Sequence, residues 1–261
     1  MPATATQLLM MATDPDVDIN DLAAVIERDP ALASRLISIA NSAFYSPRQP
    51  VTSIREAIIR VLGLNMVRNI AVGVSLTGGF STARCPLFDS TAYWITALGT
   101  ADLASGLARA ANVDGMADPD TAYLVGLLHN IGELLLVHLF PQEMDLVFRR
   151  LADDPGSQLP LHEKAVLGID HWEAGAFLMR HWGLPPIVAT TIELLGDPTK
   201  APRNRPLVPL IDATRSWLQA MLVGRADTLR LTGVDESYCE YRTTTFSERF
   251  DDLRSLAHTM H

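Results

Sequence analysis

The residues best suited to chemistry are His129 and Asn130, adjacent in the stretch Leu124-Val125-Gly126-Leu127-Leu128-His129-Asn130-Ile131-Gly132-Glu133. A neutral imidazole is a base and a metal ligand near physiological pH. A carboxamide offers two donors and an acceptor but brings no charge. Around the pair, Leu124, Leu127, Leu128, Ile131, Leu134, Leu135 and His138 follow the i, i+3, i+4, i+7 pattern, and more apolar residues spill onto the other faces. A helix apolar nearly all round is buried nearly all round. The spacing therefore predicts one buried helix with a polar pair at its middle. Such a pair either performs chemistry or locks helices together. In the second case each buried group needs a partner, since an unsatisfied one costs about 1–3 kcal/mol.

The chain that must position this pair has 261 residues, 48% of them apolar, enough for one large domain or two packed lobes. The net charge of −9 argues against a general nucleic-acid binder, whose affinity rests on cations neutralising phosphates. Two cysteines, Cys85 and Cys239, give no metal spacing and no disulfide framework, which points to a reduced, cytoplasmic setting. Met1 to Met11 lacks a basic region and a long apolar run, so no signal peptide is expected. Tyr123 to Phe140 is interrupted by His129, Asn130, Glu133 and His138, which suits a core helix better than a membrane span.

Helical periodicity runs through almost every segment, giving an all-α reading of roughly a dozen helices. Asp29-Pro30 predicts an N-cap with proline in the first turn, opening a helix to about Asn41. Ser53-Ile54-Arg55-Glu56 has the form of a capping box, and its helix should close at Gly63, with Asn65 capping the next. Residues 78–88 form a break. Asp89 or Ser90 should open a long helix to about Ala111, and Asp118-Pro119-Asp120 the central one. Asp170 with Glu173 resembles a second capping box, followed by a helix to Trp182 and a stop at Gly183. Leu207 to Leu222 is amphipathic, residues 224–243 are polar, and a last helix is expected from Phe246 to Met260. The organisation expected is an N-terminal short-helix lobe over 1–80, a second helical lobe over 81–222, and a helical extension over 223–261.

Several separated strings, in order, resemble the bacterial HDOD domain. They are Val25-Ile26-Glu27-Arg28-Asp29-Pro30-Ala31-Leu32, Ile39-Ala40-Asn41-Ser42-Ala43, Ser53-Ile54-Arg55-Glu56-Ala57-Ile58 and Leu62-Gly63. Further on come Tyr93-Trp94, Gly126 to Gly132, Glu163, Leu167 to Gly175, and His181-Trp182-Gly183-Leu184-Pro185. The resemblance spans roughly residues 2–220. The family opens with a Leu-Pro segment where this chain reads Met1-Pro2-Ala3-Thr4, so a truncated start is expected. The resemblance implies a two-lobed, multi-helical HDOD or HD-like fold and a regulatory role in signal transduction. HD-domain phosphohydrolases, to which the family is related, hold divalent metal with a His-Asp pair, an upstream His and a downstream Asp.

Against that pattern, His129 matches the histidine of the pair, Asn130 replaces its aspartate, and Trp94-Ile95-Thr96-Ala97 offers no upstream histidine. A catalytic divalent site needs three protein ligands and an open position. His171 resembles a further histidine found in some relatives. At a helix N-terminus the dipole would favour its neutral form. The expectation is therefore a degenerate site: no catalytic residue, no metal, no cofactor, and a candidate vestigial pocket at His129, Asn130 and His171. The function expected is a non-enzymatic module with a protein partner in signalling. The alternatives are a metal-dependent phosphohydrolase with a reduced site and a nucleotide-type sensor binding between the lobes. A helix-turn-helix over residues 21–41 would offer only Arg35 to DNA, and Gly78-Gly79 lacks the context of a phosphate loop. Neither nucleic acid nor membrane is expected as a partner, and the oligomeric state is left open.

Overall fold

The computed structural model describes residues 3–12, 17–154, 156–202 and 204–260. Among them there are helices and connecting turns but no strand. The chain forms two compact units, one of residues 1–79 with 243–261, the other of residues 80–242. Residues 223–261, expected as one extension, thus divide between the units.

The first unit opens with α1 (Ala3–Ala12), α2 (Ile19–Glu27) and α3 (Pro30–Ala40). Asp29 caps α3, accepting the N–H groups of Ala31 and Leu32 at 3.1 Å, with Pro30 in the first turn as the sequence predicts. A short α4 (Ile54–Ala57) runs into a π-helical stretch, Ile58–Leu62, closed by Gly63 N–H donating five residues back to Ile58 O at 3.0 Å. Gly63 makes that exit at φ 81°, where a side chain would be strained. It also stands at the N-cap of α5 (Leu64–Thr77), which corrects the expected cap at Asn65. At Ser53 half of the predicted box forms. Ser53 Oγ accepts Glu56 N–H at 3.2 Å, but the Glu56 carboxylate accepts Thr52 N–H at 2.7 Å instead of returning to Ser53. Within the unit α1 packs on α2 and α5, and α3 on α2, α4 and α5. Leu8, Leu22, Ile26, Leu36, Ile54 and Ile70 are wholly buried.

The second unit contains α6 (Ser90–Ala110), α7 (Pro119–Leu128), α8 (Ile131–Leu139), α9 (Pro141–Asp153), α10 (Leu159–Leu167), α11 (His171–His181), α12 (Pro186–Leu194), a 3-10 turn at Pro198–Lys200, and α13 (Leu207–Leu222). The most extensive helix pair is α6 with α7, and α13 also lies on α6. Helix α11 packs on α8 and α12, and α9 on α8 and α10. Cys85, Leu136, Val137, Met144, Val147 and Ala174 form a buried cluster. Helix α14 (Glu236–Glu248) crosses the division between the units at Arg242 and Thr243, and α15 (Phe250–His258) follows in the first unit. The single last helix expected over 246–260 is thus two. Its first half begins ten residues earlier in the polar segment, where only Cys239, Thr243 and Phe246 are buried and leave little apolar periodicity to read.

By length and composition Pro119–Leu139 is apolar enough to cross a membrane, with mean hydropathy 1.4, yet 72% of that window is buried inside the fold. Cys85 and Cys239 are buried and are not joined in a disulfide.

Candidate functional site

The expected continuous central helix is interrupted at His129 and Asn130, a correction with a local cause. In an unbroken helix, Gly126 O would accept Asn130 N–H, four residues on. Here the His129 ring takes that carbonyl, with Nδ1 2.6 Å from Gly126 O. A carbonyl only accepts, so Nδ1 carries the proton and donates. The next helix restarts with Glu133 N–H donating to Asn130 O at 3.0 Å. The polar pair is therefore the joint between α7 and α8.

Glycines let neighbouring helices close on this joint. A Cβ at Gly126 would sit 2.7 Å from Ala101 Cα of α6, and one at Gly132 would sit 1.9 Å from His171 O at the start of α11. Gly175 faces Gly132 across the same crossing. The start of α11 is fixed by the complete capping box read from sequence. Asp170 Oδ1 accepts Glu173 N–H at 2.8 Å, and Glu173 Oε2 accepts Asp170 N–H at 3.2 Å. Lys164 braces the box from α10 through ion pairs of 2.9 and 3.3 Å to Asp170 and Glu173.

His129 and His171 meet through Trp172. The indole stacks on the His129 ring, centroids 6.2 Å apart at 24°, and lies 4.1 Å from the His171 ring. Arg215, on α13, places its guanidinium 4.8 Å over the same indole. Burial, with the positive charge of Arg215 and the nearness of His171, pushes the His129 pKa down to about 3, so the ring is neutral at physiological pH. Burial also lowers Arg215, against the opposing pull of Asp212.

His171 is held by Glu163 on α10. Glu163 Oε2 accepts both the ring Nδ1–H at 2.6 Å and the His171 backbone N–H at 2.9 Å. Glu163 is wholly buried, and its other oxygen, Oε1, has no hydrogen-bond partner. Asn130 faces a different way. Its Nδ2 donates to Tyr93 O of α6 at 3.3 Å, while its buried Oδ1 is unpartnered. The structure thus joins His129 and His171 over one indole and ties Asn130 to α6.

These donors do not fit a divalent metal. Among the described residues, no three His, Cys, Asp or Glu side chains are grouped so as to hold an ion. His129 and His171 are neighbours, but the amide at 130 supplies no charge and the 94–97 segment no imidazole.

Three residues complete the site beyond the pocket the sequence singles out. Glu163 is a family-like position whose pairing with His171 depends on the turn between α10 and α11. Arg215 lies 86 positions after His129 and is an unremarkable basic residue of an amphipathic helix. Glu133 is the third. Burial, reinforced by Glu163 and opposed by His171, pushes its carboxyl up to about 7. A carboxyl raised from 4.5 to about 7 binds its proton more tightly in the folded chain, so it adds stability below 4.5 that is lost as pH rises through about 7. Allowing for its partial exposure, the loss should be on the order of 2 kcal/mol. Glu133→Gln should flatten this part of the stability–pH curve, measured by urea unfolding across that window. An equally steep curve in the variant would contradict the assignment.

A helical unit built around a histidine at a helix break, with a second histidine in the first turn of the facing helix, belongs to the HD-like class of all-α folds. More narrowly, the HDOD domain family matches residues 1–198, and the chain belongs to that family. An HDOD domain protein of unknown function from Geobacter sulfurreducens superposes with a TM-score of 0.79 at 24% identity, covering 100% of this chain and 92% of that one. A candidate signal transduction protein from Marinobacter aquaeolei VT8 superposes with a TM-score of 0.84 at 29% identity, covering 99% of this chain and 59% of that one. An uncharacterized protein from Treponema pallidum (strain Nichols) is 28% identical over 215 residues, 81% of this chain and 40% of that one. The chain therefore spans less than two thirds of the length of each of these last two relatives.

Proposed function

We propose that this chain is a non-enzymatic regulatory domain that acts in signal transduction by binding a protein partner. One observation carries the reading: the polar pair at the HD-like position is committed to internal hydrogen bonds, His129 to Gly126 O and Asn130 to Tyr93 O. The Marinobacter relative, a candidate signal transduction protein, supports the setting. On this reading the old ligand positions hold α6, α7, α8 and α11 in register, and the partner binds elsewhere. A reducing compartment suits two cysteines that form no disulfide.

The competing reading is a metal-dependent phosphohydrolase with a reduced set of ligands. The purified full chain, loaded with manganese, iron or zinc and then desalted, should retain far less than one metal per chain. His129→Ala should not change that content. Tightly bound stoichiometric metal that is lost in His129→Ala would overturn the proposal.

A further inference from the structure

The first unit carries family-like strings, Asn41-Ser42-Ala43 and Ser53 to Ile58, that the joint in the second unit does not use. In the fold the segments that directly follow them, Tyr45 to Gln49 and Arg60-Val61, line a cavity. One wall is the loop between α3 and α4. Asn41 clamps its ends: Nδ2 donates to Val51 O and Oδ1 accepts Val51 N–H, both at 2.8 Å. Ser42 Oγ donates to Ile39 O at 2.7 Å, and Ser46 Oγ to Ala43 O at 2.6 Å. Phe44 roots the loop in the core, with the Arg249 guanidinium 4.4 Å over its ring and donating to its carbonyl. The other wall is the π-helical stretch Ile58–Leu62.

Two backbone features mark this place. Ser46 is the described non-glycine residue with positive φ, at 44°, a conformation that persists only where its surroundings impose it. The π-helical stretch is a form found often at functional sites. Both contribute to the wall of one cavity of about 690 Å³, which also takes in Tyr45, Pro47, Arg48, Gln49, Arg60 and Val61. That volume is in the range of small-molecule sites, roughly 300–1,000 Å³.

The charge of the lining runs against that of the chain. The chain is net −9, yet the charged residues of this cavity are Arg48 and Arg60. Arg60 makes exposed contacts to Glu56 at 3.6 Å and to Gln49 at 3.3 Å. Arg48 has no ion pair or hydrogen bond among the described residues. Two guanidinium groups on an ordered loop and a helix suit a phosphate, which they bind with paired, charge-assisted hydrogen bonds. The remaining wall of Tyr45, Pro47 and Val61 suits a planar ring.

We propose that this cavity binds a nucleoside phosphate, with the phosphate on Arg48 and Arg60 and the base against Tyr45 and Val61. The site lies within the first unit, so it stands whether or not the second unit is an enzyme.

The test is a titration of the 15N-labelled full chain with AMP, GMP, CMP and UMP, with inorganic phosphate as the anion-only probe. At least one nucleotide should give saturable shifts at the amides of Tyr45, Ser46, Arg48, Gln49 and Val61, and bind more tightly than phosphate. R48Q/R60Q, both at exposed side chains, should keep the wild-type melting temperature and weaken that nucleotide about tenfold or more. Y45L should narrow the gap between nucleotide and phosphate. The proposal is overturned if no nucleotide gives saturable shifts, if phosphate alone binds equally well, or if R48Q/R60Q binds like wild type. A phosphoserine peptide binding more tightly than every nucleotide would overturn it too.

Discussion

Gly132→Ala is expected to destabilise the protein by about 3 kcal/mol or more, which would place it among the most severe single-methyl insertions. The new Cβ would lie 1.9 Å from His171 O and 2.6 Å from Gly175 N. Both obstacles are backbone, and neither can swing aside as the tip of a long side chain could. Relief requires the start of α11 to move off α8, and that start carries His171, Trp172 and the Asp170–Glu173 capping box. The displacement would therefore pull Trp172 from His129 and strain the Glu163 contacts. Gly79→Ala is the control, since nothing lies within 4 Å of its added methyl. Urea unfolding of both variants gives the measure. Near-equal midpoints for Gly132→Ala and Gly79→Ala would show that the helix crossing is looser than described.

The second large effect is expected at Glu163. Truncation to alanine removes the acceptor of two buried donors of His171, its ring N–H at 2.6 Å and its backbone N–H at 2.9 Å. Leaving buried partners unpaired costs about 2–4 kcal/mol. Glu163→Gln keeps one carbonyl oxygen for those donors and should cost only about 1 kcal/mol. A double-mutant cycle with His171→Ala should return a coupling energy above about 1 kcal/mol. Additive losses in that cycle would mean that the two side chains are stabilised independently, and the 2.6 Å contact would then contribute little.

How far these features could be read from sequence depends on the distance over which their causes act. The caps at Asp29, Asp89, Asp118 and Asp170 were legible because each acts on N–H groups within three residues. Leu207–Leu222 was legible because one apolar face spans its whole length. The break at His129 was not. Apolar periodicity passes through it unchanged, and what ends α7 is a side chain competing for one carbonyl. The split of the last helix was missed because a mostly exposed helix carries almost no apolar rhythm. At the site, the family resemblance located His129, Asn130 and His171. It also marked Glu163 as a matching position without giving its partner, and it gave no means of finding Glu133 or Arg215, whose relation to the histidines is set by packing between helices distant in sequence. Asn130 shows the opposite limit: its chemistry was plain from its type, but its partner, the carbonyl of Tyr93, lies 37 positions away.

The first unit is discontinuous in the chain, built from residues before 80 and after 242. The ribosome therefore releases the whole second unit before the residues that finish the first. Until Arg249 emerges, Phe44 has neither the guanidinium over its ring nor the donor to its carbonyl. Until Leu253 and Leu256 emerge, the unit lacks two of its buried leucines. During synthesis the second unit can fold on its own schedule, while the first waits with an open core until Arg249, Leu253 and Leu256 have emerged. A released chain truncated at Arg242 should thus carry a protected second unit and a protease-sensitive first one.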